Sequence, residues 1–312
     1  MQHWDSFWAT TKSLNSFAEG EHSQGYIGGI ADFWQVEFSG FPKSASILDL
    51  ATGNGGLAVL AQQYDSNFNI SASDSASIDP LSRFSSSSKN YQLLKKISFF
   101  SNMNSESLTF LQDQFDRVIS QFGFEYAKPE LALSEINRVL KYNGEFIALV
   151  HHRDSLISID CRIGLAILNK MNDLLSQLQE FGSLCQKIIY KNEPTAEQQI
   201  QFKDKNATLL RLFKKMQSNC NTDEELSWCN LLLKELLPII IDWKNTNSER
   251  VNKACEDLHS FELRLQDQQA ASWSYEDIED IKKLAKENWT SCEFDIITLD
   301  TGILCWIFKA LK

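Results

Sequence analysis

An apolar run that ends in a cluster of glycines constrains this chain more than any other feature. Residues 46–52 read SILDLAT and are followed at once by Gly53, Asn54, Gly55 and Gly56. A short apolar run bounded by a turn signal suits a buried strand. Glycines at its end let the backbone turn sharply and let another group approach closely. Leu57 to Gln63 then reads as a helix. The segment is therefore expected to be strand, tight turn, helix, with the free N–H groups of the helix start facing whatever fills the turn. Many α/β proteins use such a turn for packing alone, so its meaning depends on its surroundings.

Further strands are expected at NISASD (69–74), KISFF (96–100), FDRVISQF (115–122) and EFIALVHH (145–152). LALSEINRVLKYNG (131–144) has apolar residues at 131, 133, 136, 139 and 140 and predicts a helix that Gly144 stops. Strands alternating with helices predict a parallel sheet covered on both faces. From 153 to 290 the texture is helical, with apolar residues from Ile163 to Phe181 recurring every three or four positions. Helix starts are expected near Pro194, at Thr222 (a capping box with Glu225), near Ser248 and at Ser274. Pro238 is expected to kink or end the helix containing Leu231 to Leu237. Residues 293–312, EFDIITLDTGILCWIFKALK, read as two strands around a Thr301-Gly302 turn, a hairpin that rejoins the sheet. The expected fold class is therefore α/β, with 153–290 inserted between the fifth strand and the last two. Residues 1–45 precede it, rich in aromatics (Trp4, Phe7, Trp8, Phe17, Tyr26, Phe33, Trp34, Phe38).

Composition removes several function classes. A net charge of −11 argues against non-specific binding of nucleic acid, which needs a basic face. A hydrophobic content of 43% excludes global disorder. The apolar stretch Leu236 to Ile241 is far short of the roughly 20 residues that cross a bilayer, so no membrane partner is expected. The opening MQHWDSFWATTK lacks the basic region and apolar core of a secretory signal. No two of the seven cysteines form a CxxC pair, so reduced thiols and a cytoplasmic location are expected. His3, His22 and His259 lack partners at ligand spacing, and no metal is expected.

A dinucleotide fingerprint would place its third glycine at Ala58 and does not include an acid at Asp49. Asp74, about 20 residues past the turn, ends the second strand where a carboxylate can accept both hydroxyls of a ribose. D-x-A-x-G-x-G at Asp49 to Gly55 resembles the first motif of the class I S-adenosylmethionine-dependent methyltransferases. Ala51 stands in place of the first glycine, as in members similar to the quinone-biosynthesis group. NSESLTF (104–110), FDRVISQFGFEY (115–126) and EINRVLKYNGEFIAL (135–149) resemble that family's later motifs in the right order. The resemblance covers 46–152 and 291–312. It implies a Rossmann-like seven-stranded sheet with the last strand antiparallel and a helical insertion between strands 5 and 6. It further implies S-adenosylmethionine as cofactor, leaving as S-adenosylhomocysteine. The turn residues Asp49, Ala51, Thr52, Gly53, Asn54 and Gly55 would hold it. Asp74 would take the ribose and Ser75, Met103 and Asn104 the adenine, with the Asn104 amide oxygen in the place of the family's acid. Ser120, Gln121 and Phe122 would lie near the sulfonium, and Tyr26, from an N-terminal helical lid over 1–45, would reach the cofactor's carboxylate or the substrate.

Methyl transfer from a sulfonium is a direct displacement, so alignment and exclusion of water are the main tasks. A base is required only where the acceptor carries a proton. His151 is the candidate base, and Glu125, Tyr126 and His152 are candidate substrate contacts, all at the carboxyl ends of strands. Trp4, Trp8 and Trp34 are either pocket walls or core. The insertion 153–290 is either a cap over the cleft or a docking surface, including one for a homodimer. The expected reaction is methyl transfer to an oxygen, nitrogen or carboxylate of a small molecule. A peptide or protein carboxyl methyltransferase and a catalytically silent partner protein are the alternatives.

Overall fold

The computed structural model describes residues 2–16, 25–189 and 195–312. Phe17, His22 and Pro194 lie outside the described residues. The chain divides into two compact units, Met1–Ser158 with Ala270–Lys312, and Ile159–Gln269.

The first unit begins with helices α1 (Gln2–Thr10) and α2 (Gly28–Ser39). Strand β1 (Ser46–Leu50), helix α3 (Gly56–Tyr64) and strand β2 (Asn69–Ser73) follow. Two short helices, α4 (Pro80–Arg83) and α5 (Lys89–Leu94), lead to β3 (Ser98–Phe100) and β4 (Phe115–Gln121). Helix α6 (Pro129–Val139) precedes β5 (Leu140–Val150). Next come α7 (Leu156–Asn169), α8 (Asn172–Ile189), α9 (Ala196–Ser218), α10 (Asp223–Ile241) and α11 (Ser248–Ala271). Helix α12 (Tyr275–Ala285) and strands β6 (Ser291–Leu299) and β7 (Gly302–Leu311) complete the chain.

The strands form one seven-stranded sheet in the order β3-β2-β1-β4-β5-β7-β6. The first five are parallel, and β7 runs antiparallel to both β5 and β6. Apolar side chains at Ile47, Leu48, Val118, Ile119, Phe146 and Ile147 are fully buried, as central strands covered by helices on both faces must be. One core layer gathers Leu48, Val118, Phe146 and Phe308 with Ile136 of α6 and Ile278 of α12; the other gathers Ile47, Ile119 and Ile147 with Trp34, Ala58 and Leu94. The strand order reverses between β1 and β4. Loops leaving the carboxyl ends of these two strands part there, which is where an open α/β sheet leaves a crevice for a ligand.

Several local expectations give way to tertiary pairing. The helix expected over 131–144 ends at Val139, and β5 begins at Leu140 opposite Phe115. Gly144 sits inside that strand, just past a left-handed Asn143 (φ +61°). Burying Leu140 against its partner strand outweighs one more helical turn. His151 and His152 lie beyond the strand's last residue, Val150. The apolar recurrence from Ile163 to Phe181 spans two helices that break near Lys170 and Met171. Pro238 lies within α10, which continues to Ile241. At Thr222 the hydroxyl accepts the Glu225 N–H, but the Glu225 carboxylate accepts from Asn221, so the capping box is half made.

The second unit is helical. Leu174, Leu178, Phe181 and Cys185 of α8 are buried, as are Leu209 and Phe213 of α9, and Leu232, Leu236 and Ile239 of α10. Gly182 of α8 lies so close to Val251 of α11 that a Cβ would collide with it. Among the described residues no helix is long and apolar enough to cross a membrane. All seven cysteines are free.

Candidate functional site

The glycine turn begins with backbone that few side chains adopt. Ala51 and Gly53 have φ of +54° and +55°, and Gly55, with φ +89°, caps the start of α3. Asp49 stabilises the turn from within: its Oδ2 accepts the Thr52 hydroxyl at 2.6 Å and the Ala58 N–H at 3.2 Å. Asp74, at the end of β2, binds the same turn from the side. Its Oδ2 accepts the Gly53 N–H and its Oδ1 the Ala76 N–H, both at 2.8 Å. A carboxylate offers about four lone-pair sites, so Asp74 retains capacity for a further donor. Asn54 turns away, donating to the Ser13 carbonyl at 2.9 Å, and so ties the N-terminal segment to the turn.

A cleft of about 430 Å³, its open mouth included, lies at the carboxyl ends of β1 and β4. Asp49, Ala51, Thr52 and Leu57 line one side, and Gln121, Phe122 and Tyr126 another. Trp4 and Trp8 of α1, with Asn15, Ser16 and Tyr26, complete it. Helix α1 is fastened there: Asp5 accepts the Ser77 N–H at 2.7 Å, Arg83 donates to the Ala9 carbonyl, and the Trp8 ring lies directly against Gly53. Trp34 does not line the cleft. It is buried in the core, and its Nε1–H donates to Gln121 Oε1 at 2.5 Å.

The electrostatics of the cleft have one sign. Burial raises Asp49 to about 7 against its hydrogen bonds, with Asp74 adding to the rise. Asp74 is raised to about 6, first by burial and further by Asp5. Burial raises Tyr26 too, and the charges of Asp49 and Glu125 push it further. Among the described residues, no Lys, Arg or His lines the cleft.

Glu125 and His151 sit behind this wall. The Glu125 carboxylate accepts the His151 backbone N–H at 2.9 Å, and the His151 Nε2 is 4.0 Å from its Oε1. Burial raises Glu125 to about 8 and lowers His151 to about 3. His151 is 4% exposed, does not line the cleft, and stacks on the Phe122 ring at 4.4 Å and 5°. An imidazole held at so low a pKa has little driving force to take a proton at neutral pH. His152 packs on Trp306 at 4.5 Å, and its Nδ1 accepts the Asp154 N–H. The structure thus gives both histidines packing and backbone-bonding roles.

Other expected residues divide similarly. The Ser120 hydroxyl donates to the Leu50 carbonyl and accepts the Phe124 N–H, which joins β1 to the loop after β4. Ser75, Met103 and Asn104 do not line the cleft. Met103 is tied by its N–H to the Asp74 carbonyl, and the exposed Asn104 accepts the Glu106 N–H through its amide oxygen. Asn15, Ser16 and Leu57 line the cleft without having been expected there, and no short motif marks them. The Trp34–Gln121 bond joins residues 87 positions apart, so nothing local announces it. Among the described residues no group of three or more His, Cys, Asp and Glu side chains could hold a metal ion.

Residues 48–148 match the family model for the methyltransferase domain. No curated protein matches the chain. Among solved structures, geranyl diphosphate C-methyltransferase from Streptomyces coelicolor is similar over 39% of this chain and 44% of its own, at 15% identity and a TM-score of 0.34. A SAM-dependent methyltransferase from Aquifex aeolicus is similar over 40% of this chain and 65% of its own, at 17% identity and a TM-score of 0.34. An S-adenosylmethionine-dependent methyltransferase from Mesorhizobium loti is similar over 40% and 56%, at 19% identity and a TM-score of 0.31. The chain thus spans about half to two thirds of these structures. With the glycine turn after β1, the reversed β7 and the domain match over 48–148, the chain carries a class I S-adenosylmethionine-dependent methyltransferase domain.

Proposed function

We propose that this chain transfers the methyl group of S-adenosylmethionine to a small-molecule acceptor. The observation that carries the reading is the cleft at the β1–β4 switch point, lined among the described residues by Asp49, Ala51 and Thr52 of the turn and by no basic side chain. A ligand carrying a sulfonium and an ammonium suits a cleft with the buried Asp49 carboxyl in its wall. Asp74, Ala51, Thr52 and Gly53 would hold the ribose and methionine portions, and Tyr26, Asn15 and Ser16 the far end of the methionine. When bound, the cofactor supplies a methyl group already activated for displacement.

The chain's own residues then align and shield. Gln121 and Phe122, at the end of β4, form the wall nearest the turn. Phe122 keeps a left-handed backbone (φ +54°), held by its N–H to the Leu149 carbonyl at 2.8 Å and by the His151 stack. Trp4 and Trp8 exclude water from above, so α1 acts as the lid. The acidic, aromatic cleft disfavours nucleic acid as acceptor.

Calorimetric titration with S-adenosylmethionine and S-adenosylhomocysteine tests this reading. Micromolar binding of both is expected, followed by release of S-adenosylhomocysteine when a small-molecule extract is added. A cooperatively folded sample that binds neither would reject the enzyme reading in favour of a silent partner protein.

A further inference from the structure

Gln121 is a polar side chain of the cleft whose amide orientation the structure settles. The Trp34 indole N–H can only donate, so the 2.5 Å bond fixes the Gln121 Oε1 toward it and turns Nε2 the other way. Trp34 itself has no freedom: it is 0% exposed, stacked on Phe38 and met edge-on by Phe33. At its other end, Gln121 is anchored by β4 in register with Leu149. The side chain is 6% exposed, lines the cleft, and its Nε2 has no hydrogen-bond partner. A buried donor left unpaired is costly, so a group that fills the cleft is expected to bring a lone pair to it.

We propose that Gln121 donates a hydrogen bond to the reacting atom of the methyl acceptor, that Trp34 positions it, and that this atom is a hydroxyl oxygen. The inference rests on the methyl-transfer reading above and narrows it by counting lone pairs. A neutral amine nitrogen has one, which the attack itself requires, so a donor aimed at it would block the reaction. A nucleophilic carbon offers none beyond the reacting pair. An oxygen has at least two, one for Gln121 and one for the methyl carbon. A carboxylate oxygen also qualifies by that count. It would add a second carboxyl beside Asp49 in a wall where, among the described residues, no basic side chain compensates. The hydroxyl remains.

In the transfer, the sulfur–carbon bond breaks with its electron pair staying on sulfur. The oxygen–carbon bond forms from the oxygen's free lone pair, and the hydroxyl proton passes to a water at the open mouth of the cleft, which serves as the base. The products are a methyl ether, S-adenosylhomocysteine and a proton. Gln121 keeps the oxygen oriented and takes no proton.

Two variants and one chemical assay test this. Gln121→Met keeps the length and removes the donor; Trp34→Phe keeps a ring and removes the indole N–H. Both are expected to bind S-adenosylhomocysteine within about threefold of wild type by calorimetry, since the donor serves the acceptor. A loss beyond about tenfold in Gln121→Met would assign the donor to the cofactor and overturn the proposal. Transfer is followed with methyl-labelled S-adenosylmethionine and a small-molecule extract. Label that resists alkali but is released by boiling hydriodic acid marks a methyl ether and supports the proposal. Label retained in hydriodic acid (nitrogen or carbon) or released as methanol by alkali (ester) overturns it while leaving methyl transfer intact. Failure of the wild type to bind S-adenosylhomocysteine would remove both readings. If the extract yields no labelled product, a panel of phenols and alcohols replaces it, and transfer to none of them by a wild type that binds S-adenosylhomocysteine overturns the proposal. For Trp34, each single variant is expected to lower kcat/KM at least tenfold, and Gln121→Met is expected to add nothing in the Trp34→Phe background. Additive losses would mean that Trp34 acts only as core.

Discussion

Ala51 takes a left-handed backbone (φ +54°) that costs a side chain about 1–2 kcal/mol. Its methyl group also stands where a Cβ on Gly123 would have to go, so the two positions are coupled across the turn and the loop after β4. Gly123→Ala is expected to destabilise the fold by about 1–3 kcal/mol through overpacking. Ala51→Gly alone should fall within about 1 kcal/mol of wild type, because relief of backbone strain offsets the added freedom of the unfolded chain. The double variant should recover most of the Gly123→Ala loss in urea unfolding; additive effects would show that the two do not meet. His151 offers a second contrast. If its work is to hold the strained Phe122 by stacking, His151→Phe keeps turnover within about threefold, whereas loss of a proton acceptor costs about 10²–10⁴-fold. Measuring kcat on that variant separates the two roles. From sequence, His151 drew attention as a titratable residue at a strand end, but burial that lowers its pKa to about 3 depends on Phe122 and Glu125, neither of which its neighbours in sequence reveal.

At the scale of elements, α1 carries the next prediction. It is held over the turn by the Asp5–Ser77 bond, the Arg83–Ala9 bond and the Trp8 ring against Gly53. If it is a lid, Trp8→Ala should speed dissociation of S-adenosylhomocysteine by about tenfold, the effect of exposing part of one buried apolar side chain. Stopped-flow displacement measures this directly, and an unchanged off-rate would make α1 ordinary packing. Other elements show how far local pattern carries. The first strand and its turn were legible because a buried parallel strand and a glycine turn each have a local signature at 46–56. The end of α6 was not, since Leu140 is recruited by Phe115 of another strand and helical periodicity is blind to that pairing. Pro238 does not end its helix. It lies one turn from the end of α10, where a missing N–H is tolerated while Leu236, Ile239 and Ile240 stay buried. The lining by Asn15 and Ser16 was hidden because an irregular segment without periodicity reaches the cleft through the Asn54–Ser13 bond.

The net charge of −11 gives the whole molecule a negative field, but burial raises three carboxyls near the cleft: Asp49 (about 7) in its wall, Asp74 (about 6) beside the glycine turn and Glu125 (about 8) behind the wall. Each carboxyl has its folded pKa above its unfolded value, so the folded protein holds these protons more tightly than the unfolded chain does. Their contribution to stability is therefore present in full below the ordinary carboxyl values of 3.8 to 4.5 and is lost as pH rises from there to about 6 to 8. A cation in the cleft reverses that slope, because it favours the ionised carboxylates and its binding expels protons. S-adenosylmethionine and S-adenosylhomocysteine differ by a methyl group and the sulfonium charge, and the pH dependence of their affinity ratio probes this field. Preference for the charged ligand should grow by at least about tenfold between pH 6 and pH 8, since one fully coupled carboxylate contributes up to about tenfold per pH unit. Calorimetry in buffers of different ionisation enthalpy should show proton release that is larger for the charged ligand. At high salt the ratio should persist, since buried pairs are screened far less than surface ones. A ratio flat with pH would mean that none of the three carboxylates faces the sulfonium, and the cleft's single-signed lining would then need another ligand to explain it.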